Sequence, residues 1–238
     1  MLVLGYGCNA VSAKQTDNCK KSMHRALTDH LGRTTVDEIV LFCNQSKLST
    51  VYDIATTYCS IKPSLSNHFV KEVFDHVVEH LKQGHIVSLA GHSYGGSVVA
   101  RVTELLAKKQ STSLGRVLNQ FRAATFGSIY VPESSTVDGI NVAHYMYVND
   151  VALKCNGLAR PDARVKWLRT PNYQSPLQKQ FAFLGNEDEW IAHNSYTDYI
   201  LKFAISMQRG NWIEPAKTPA KTQKKTKTVS VNRQSQPA

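Results

Sequence analysis

Apolar positions recur along this chain at two spacings, and their alternation predicts the architecture. Short apolar runs of strand length occur at Leu2 to Leu4, Val36 to Cys43, Ile86 to Ala90, Phe121 to Gly127 and Val142 to Val148, with a further short one at Arg164 to Leu168. Between them lie helical spacings. The clearest runs from Asn67 to Lys82, where Val70, Val73, Phe74, Val77 and Leu81 share one face and Gln83-Gly84 supplies the stop. Tyr94 to Lys109 places Val98, Val99, Val102, Leu105 and Leu106 together, Asp17 to Leu31 is amphipathic, and a last helix spans Ser195 to Met207. Leu48 to Tyr58 is ambiguous and is read as helical, ending before Lys62-Pro63. Strands alternating with helices give an α/β fold, a three-layer sandwich around a mostly parallel sheet. In such folds the reactive residues come from loops at the carboxyl ends of strands. No internal repeat is visible.

Composition adds limits. Apolar residues make up 42% and charged residues 19% of the 238, which is globular usage. That length suits one domain, expected over 1–214. No run approaches the apolar length of a membrane span, and Met1 to Leu4 is too short for a signal peptide. The five cysteines, Cys8, Cys19, Cys43, Cys59 and Cys155, are odd in number and lack zinc spacing. They are read as reduced thiols, and the expected location is cytoplasmic. The net charge of +10 is uneven: Lys217, Lys221, Lys224, Lys225, Lys227 and Arg233 fall in 215–238, where no acid occurs. That segment has too little apolar content to offset its ordering entropy and is expected to be a disordered basic tail. Two roles stay open for it, a solvated appendage or a weak tether holding the protein at the periphery of an anionic membrane or against nucleic acid. No specific nucleic-acid recognition is expected, and the sequence leaves the oligomeric state open.

The candidate chemistry centres on Gly91-His92-Ser93-Tyr94-Gly95, placed between a strand pattern and a helix pattern. A serine oxygen that must stand clear of the backbone needs a sharp strand-to-helix turn, and side chains at the flanking glycines would collide there, so the stretch reads as a nucleophile elbow. The hydroxyl then needs an imidazole and an acid, in the chain order Ser, acid, His. Only His144 and His193 follow Ser93. His144 sits inside a strand pattern, where a role in the sheet is expected, so His193, in a polar connection before the last helix, is the candidate base. Asp150 directly follows the strand ending at Val148 and is the candidate acid. Asp138, beside Gly139, reads as turn chemistry, and Asp162 lies well past the strand.

On these residues the chain resembles the class 3, fungal-type lipases of the α/β-hydrolase superfamily. Gly91-His92-Ser93-Tyr94-Gly95-Gly96 is similar to their G-H-S-L-G-G elbow, Thr125-Phe126-Gly127-Ser128 to their F-G-x-P segment, and Asn149-Asp150-Val151 to their D-x-V-P acid site. His193 before Tyr196 is similar to their final histidine, and Asn67-His68-Phe69 faintly to their H-x-G-F. The likeness covers about 67–205. Tyr94 replaces the family's leucine, and Ala152 stands where proline would follow the acid. The resemblance implies an α/β-hydrolase-like serine ester hydrolase, a lipase or esterase acting on lipid or another acyl ester with no metal or organic cofactor. By position it also implies an oxyanion hole from the backbone N–H groups of Cys8 and Tyr94.

Two rival readings belong to other classes. One is a catalytically silent hydrolase fold that binds anionic lipid or nucleic acid through its basic tail. The other follows from His76-Val77-Val78-Glu79-His80, which matches the H-x-x-E-H pattern of some zinc peptidases. The helix's apolar stripe turns both histidines and Glu79 away from the core, and the sequence offers no third ligand, so catalytic zinc is not expected.

Overall fold

The computed structural model describes residues 2–5, 21, 25, 28–29, 39–42, 67–156, 162–169, 188–189, 192 and 195–208. Its strands are β1 (Leu2–Gly5), β2 (Ile39–Phe42), β3 (Val87–His92), β4 (Phe121–Phe126), β5 (Val142–Tyr147) and β6 (Val165–Leu168). They form one sheet in the order β2-β1-β3-β4-β5-β6, and every pairing is parallel. The helices are α1 (His68–Lys82), α2 (Tyr94–Ala107), the short α3 (Leu153–Asn156) and α4 (Thr197–Gln208). A 3-10 helix, Ser113–Gln120, leads into β4. The expected helix at Leu48 to Tyr58 and the basic tail lie outside the described residues, whereas Lys21, Arg25, Thr28 and Asp29 are helical within the amphipathic stretch read from the sequence.

Side chains alternate between the two faces of the sheet, as a period of two requires. Val87, Leu89, Phe121 and Ala123 face a core shared with Val70, Val73, Val77 and Leu81 of α1 and Val98, Val99, Val102 and Leu106 of α2. Ala90, Ala124, Phe126, Tyr145 and Tyr147 face the opposite core, closed by Ile200, Phe203 and Ala204 of α4. Helices thus cover both faces, the three-layer arrangement of an α/β domain.

Two details differ from the sequence expectation. The strand before the elbow starts at Val87 and runs through His92, because ladder pairing to β4 begins at Val87–Phe121, and Ile86 is 62% exposed. The helix after it is buried nearly all round, not along one stripe. On its outer side Arg101 and Glu104 pair with each other, and Glu104 also accepts from Tyr130 Oη at 2.7 Å and Thr136 Oγ1 at 3.2 Å. Burial, with Glu104 beside it, pushes the Tyr130 phenol well above its ordinary value, so it stays a donor. These bonds, with the burial of Ile129, Val131, Val137 and Ile140, fix the stretch after β4 over α2.

Helix α1 shows how local sequence sets its ends. Asn67 is the N-cap, its Oδ1 accepting from Phe69 N at 2.9 Å and Val70 N at 3.4 Å. At the other end Gly84 takes φ +81°, Gly84 N–H donates to Leu81 O at 3.1 Å, and His85 N–H donates to His80 O at 3.0 Å. That pair of bonds is a Schellman motif, which only a residue tolerant of the left-handed region completes cheaply.

Candidate active site at the carboxyl edge of the sheet

Chain order reverses between β1 and β3, and in open α/β sheets the crevice beyond such a reversal is where ligands are held. Ser93 lies there, at the carboxyl end of β3. It takes φ 57°, ψ −125°, and is the only non-glycine residue with positive φ among those described. A side chain in that region costs of order 1–3 kcal/mol, so the surroundings must enforce it. They do so through the backbone: Ser93 N–H donates to Phe126 O of the neighbouring strand at 3.0 Å, while Ser93 O accepts from Ser97 N at 3.3 Å and opens α2.

Close packing completes the turn. A Cβ on Gly91 would strike Gly95 O and lie 2.6 Å from Gly95 C and 2.7 Å from Val99 Cγ2. A Cβ on Gly96 would lie 2.9 Å from Ser128 Cβ. The glycines therefore let α2 start directly against β3 and let the stretch after β4 pass over it. Tyr94, in place of the family's leucine, is buried, and its Oη accepts from Asn67 Nδ2 at 3.1 Å, tying the elbow to the cap of α1.

Asp150 follows β5 at the same edge of the sheet and is almost wholly buried. Its Oδ1 accepts from Ala152 N at 2.7 Å and its Oδ2 from Tyr196 Oη at 2.5 Å. A proline at 152 would lack that N–H, so alanine at this position supplies a bond to the Asp150 carboxylate. The Tyr196 oxygen also accepts from Tyr147 N at 2.8 Å. Burial first, then the Asp150 carboxylate, pushes the Tyr196 phenol well above its ordinary value, which keeps it protonated and donating. The Tyr196 ring lies 5.5 Å from that of His92, next to Ser93, so one aromatic spans the gap between the Ser93 turn and the Asp150 carboxylate. Sequence reasoning gave Tyr196 no role, because nothing local marks a tyrosine 46 residues from its partner.

The other titratable candidates are engaged elsewhere. His144 is buried inside β5, its Nδ1 2.8 Å from Thr125 Oγ1, and burial pushes it down to about 4, with Arg164 adding to the effect. The Asp162 carboxylate is held by Arg164, with contacts of 2.7 to 3.3 Å, and sits below its ordinary value for that reason. The carbonyl of Asp138 accepts from Gln110 Nε2, and Gly139 has φ +71°, a turn as the sequence predicts. His193 and Cys8 lie outside the described residues. The segments flanking position 193 do not: Asn149 Nδ2 donates to Asp188 O at 3.2 Å, Val151 N to Glu189 O at 3.4 Å, and Lys154 pairs with Glu189 at 2.6 Å. With Tyr196 on the far side, the chain is bonded to the acid's turn both before and after 193.

Among the described residues no group of three or more His, Cys, Asp or Glu side chains is arranged to hold a metal ion, and no helix is long and apolar enough to cross a membrane. The fold and the position of Ser93 define an α/β domain with a parallel sheet and a strained serine at its switch point. No protein-family model matches the chain, and no curated protein matches it in sequence. Among solved structures it is similar to the extracellular lipase LipA from Serratia marcescens, at 13% identity and a TM-score of 0.32, over 65% of this chain. The match spans only 26% of that lipase's length. The fungal-type lipase family suggested by the motifs is therefore not established by these comparisons.

Proposed function

We propose that the protein is a serine ester hydrolase, lipase-like or esterase-like, acting on acyl esters through an acyl-enzyme. The observation that carries this reading is Ser93: a non-glycine side chain held at positive φ, between a buried strand and a helix, at the crevice end of the sheet. Structural turns avoid that cost by placing glycine there, as this chain does at Gly84, Gly127 and Gly139. A serine in this conformation presents its oxygen clear of the backbone, as a nucleophile elbow requires.

In the proposed reaction Ser93 Oγ attacks the ester carbonyl while His193 takes its proton. The charge that develops on the carbonyl oxygen meets the backbone N–H of Tyr94, the first residue of α2, and that of Cys8. The N–H groups of a helix's first turn have no intrahelical partner and stand at the positive end of its dipole, which suits an oxyanion. His193 returns the proton to the leaving alcohol, and water then releases the acyl group by the same steps in reverse roles. Asp150 orients the imidazole, and its bonds from Ala152 N and Tyr196 Oη fix the carboxylate in turn. The bonds that bring the chain on both sides of 193 to the acid's turn support the choice of His193.

Incubation with a fluorophosphonate probe, followed by mass mapping, tests the reading. The expected result is one adduct on Ser93 and loss of short p-nitrophenyl ester hydrolysis by roughly a thousandfold or more in Ser93→Ala. EDTA should leave the rate unchanged. Absence of an adduct on folded protein, or an active Ser93→Ala, would overturn it in favour of a silent binding fold or another nucleophile.

A further inference from the structure

The strongest side-chain cluster outside the proposed active site lies where α1 ends. The H-x-x-E-H pattern pairs His76 with His80 on the helix, but the structure gives His80 a different partner. His80 Nδ1 lies 2.9 Å from His85 Nδ1, beyond the helix and outside the motif. The His76 ring stands beside that of His80, with centroids 4.6 Å apart and planes tilted by 58°.

The local backbone explains the meeting. In a Schellman motif the third residue from the helix end and the second residue past the cap are brought into contact, a place usually filled by two apolar side chains. Here those positions are His80 and His85, joined by the His85 N–H to His80 O bond and locked by Gly84 at φ +81°. The two imidazoles are therefore aligned by backbone hydrogen bonds, not by the chance packing of long surface side chains. His85 is exposed and His80 half-buried, so the pair is open to solvent on one side.

Two converging imidazole nitrogens can share one proton or one borderline metal ion. A cation bound at about 2.05 Å to each of two ligands at a right angle holds those nitrogens roughly 2.9 Å apart, whereas a tetrahedral ion spreads them to about 3.3 Å. The separation of 2.9 Å in this chain fits the first case. We infer that His80 and His85 form a two-imidazole chelate for a divalent transition cation of tetragonal or octahedral preference, of the Ni2+ or Cu2+ type, with water in the remaining positions. Among the described residues no third side chain completes a closed cage, so the pair is a surface clip that fastens the end of α1 to the start of β3 and not a catalytic centre. The inference is independent of the proposed esterase activity.

The test uses the full chain and Ni2+ as the probe, by isothermal titration and by thermal unfolding with and without the ion. The expected result is saturable binding of one Ni2+ that raises the melting temperature, is reversed by EDTA, and leaves ester hydrolysis unchanged. His80→Gln and His85→Gln should each weaken binding at least about tenfold, with metal-free melting temperatures near wild type, since amides preserve polarity at both positions. His76→Gln should stay within about threefold. Zn2+ should bind more weakly than Ni2+. No response of wild type to Ni2+ would overturn the proposal. So would loss of binding in His76→Gln with retention in His85→Gln, which would place the ion on the helical pair named by the sequence motif.

Discussion

Replacing Tyr196 by Phe removes one oxygen from the interior and nothing else. The ring stays packed against Tyr147 at 4.7 Å and Phe126 at 6.0 Å, so the apolar contribution is retained. The lost oxygen makes two bonds, donating to Asp150 Oδ2 at 2.5 Å and accepting from Tyr147 N at 2.8 Å. A bond to a charged group is worth about 1.5–3 kcal/mol, and an orphaned buried N–H costs about 1–3 kcal/mol. With some relaxation the variant should lose about 3 kcal/mol of stability. For a chain of this size each kcal/mol moves the melting temperature by about 2–4 °C, so a drop near 9 °C is expected by circular dichroism. Activity should fall as well, through kcat more than KM, because the acid would keep its charge but lose one of the bonds that orient it. Urea unfolding supplies the free energy independently of temperature. A loss below about 0.5 kcal/mol would refute the reasoning, since it would mean that neither buried partner needs the phenol.

Three further outcomes follow from the same structure. Gly91→Ala should cost at least about 2 kcal/mol and most of the ester hydrolysis, because the new methyl meets backbone at Gly95 and can be relieved only by lifting α2 off β3; an unchanged urea midpoint would sink this account of the elbow. His144 should make stability fall on acidification: folded, it takes a proton only near 4, while unfolded it does so near 6.5, so its contribution is complete above pH 6.5 and shrinks as pH drops toward 4. The loss amounts to about 3 kcal/mol over that window. His144→Asn, which keeps a partner for Thr125, should flatten the wild-type slope there, and identical slopes in pH-dependent urea titrations would exclude His144 as its source. At still lower pH, protonation of Asp162 should remove a further increment as its pairing with Arg164 is lost.

Much of this chain could be read from local pattern, because the features concerned are themselves local. The strands and the two long helices from Asn67 to Leu168 depend on the spacing of apolar residues along a few turns or a few pleats, and each of their boundaries lies within about two residues of the expected one, whereas the 3-10 helix Ser113–Gln120 and the short helix Leu153–Asn156 carry no such spacing and were not expected. The tight strand-to-helix turn at Ser93 was legible for the same reason: the clash that makes Gly91 necessary involves Gly95 and Val99, four and eight residues away. What the sequence could not decide depends on groups distant along the chain. Glu104, at a position that a helix of ordinary amphipathicity would leave in water, is buried because Tyr130 and Thr136 arrive over α2 to meet it. Asp150 gains its carboxylate bond from Tyr196, and His144 its hydroxyl from the strand beside it, where Thr125 and His144 fall in register. The histidines at the end of α1 mark the boundary between the two kinds of information. Their motif suggested a pair four residues apart on one helix, whereas the reversal at Gly84 brought His80 to His85, since a left-handed residue turns the chain back across the helix end in a way that periodicity alone does not describe.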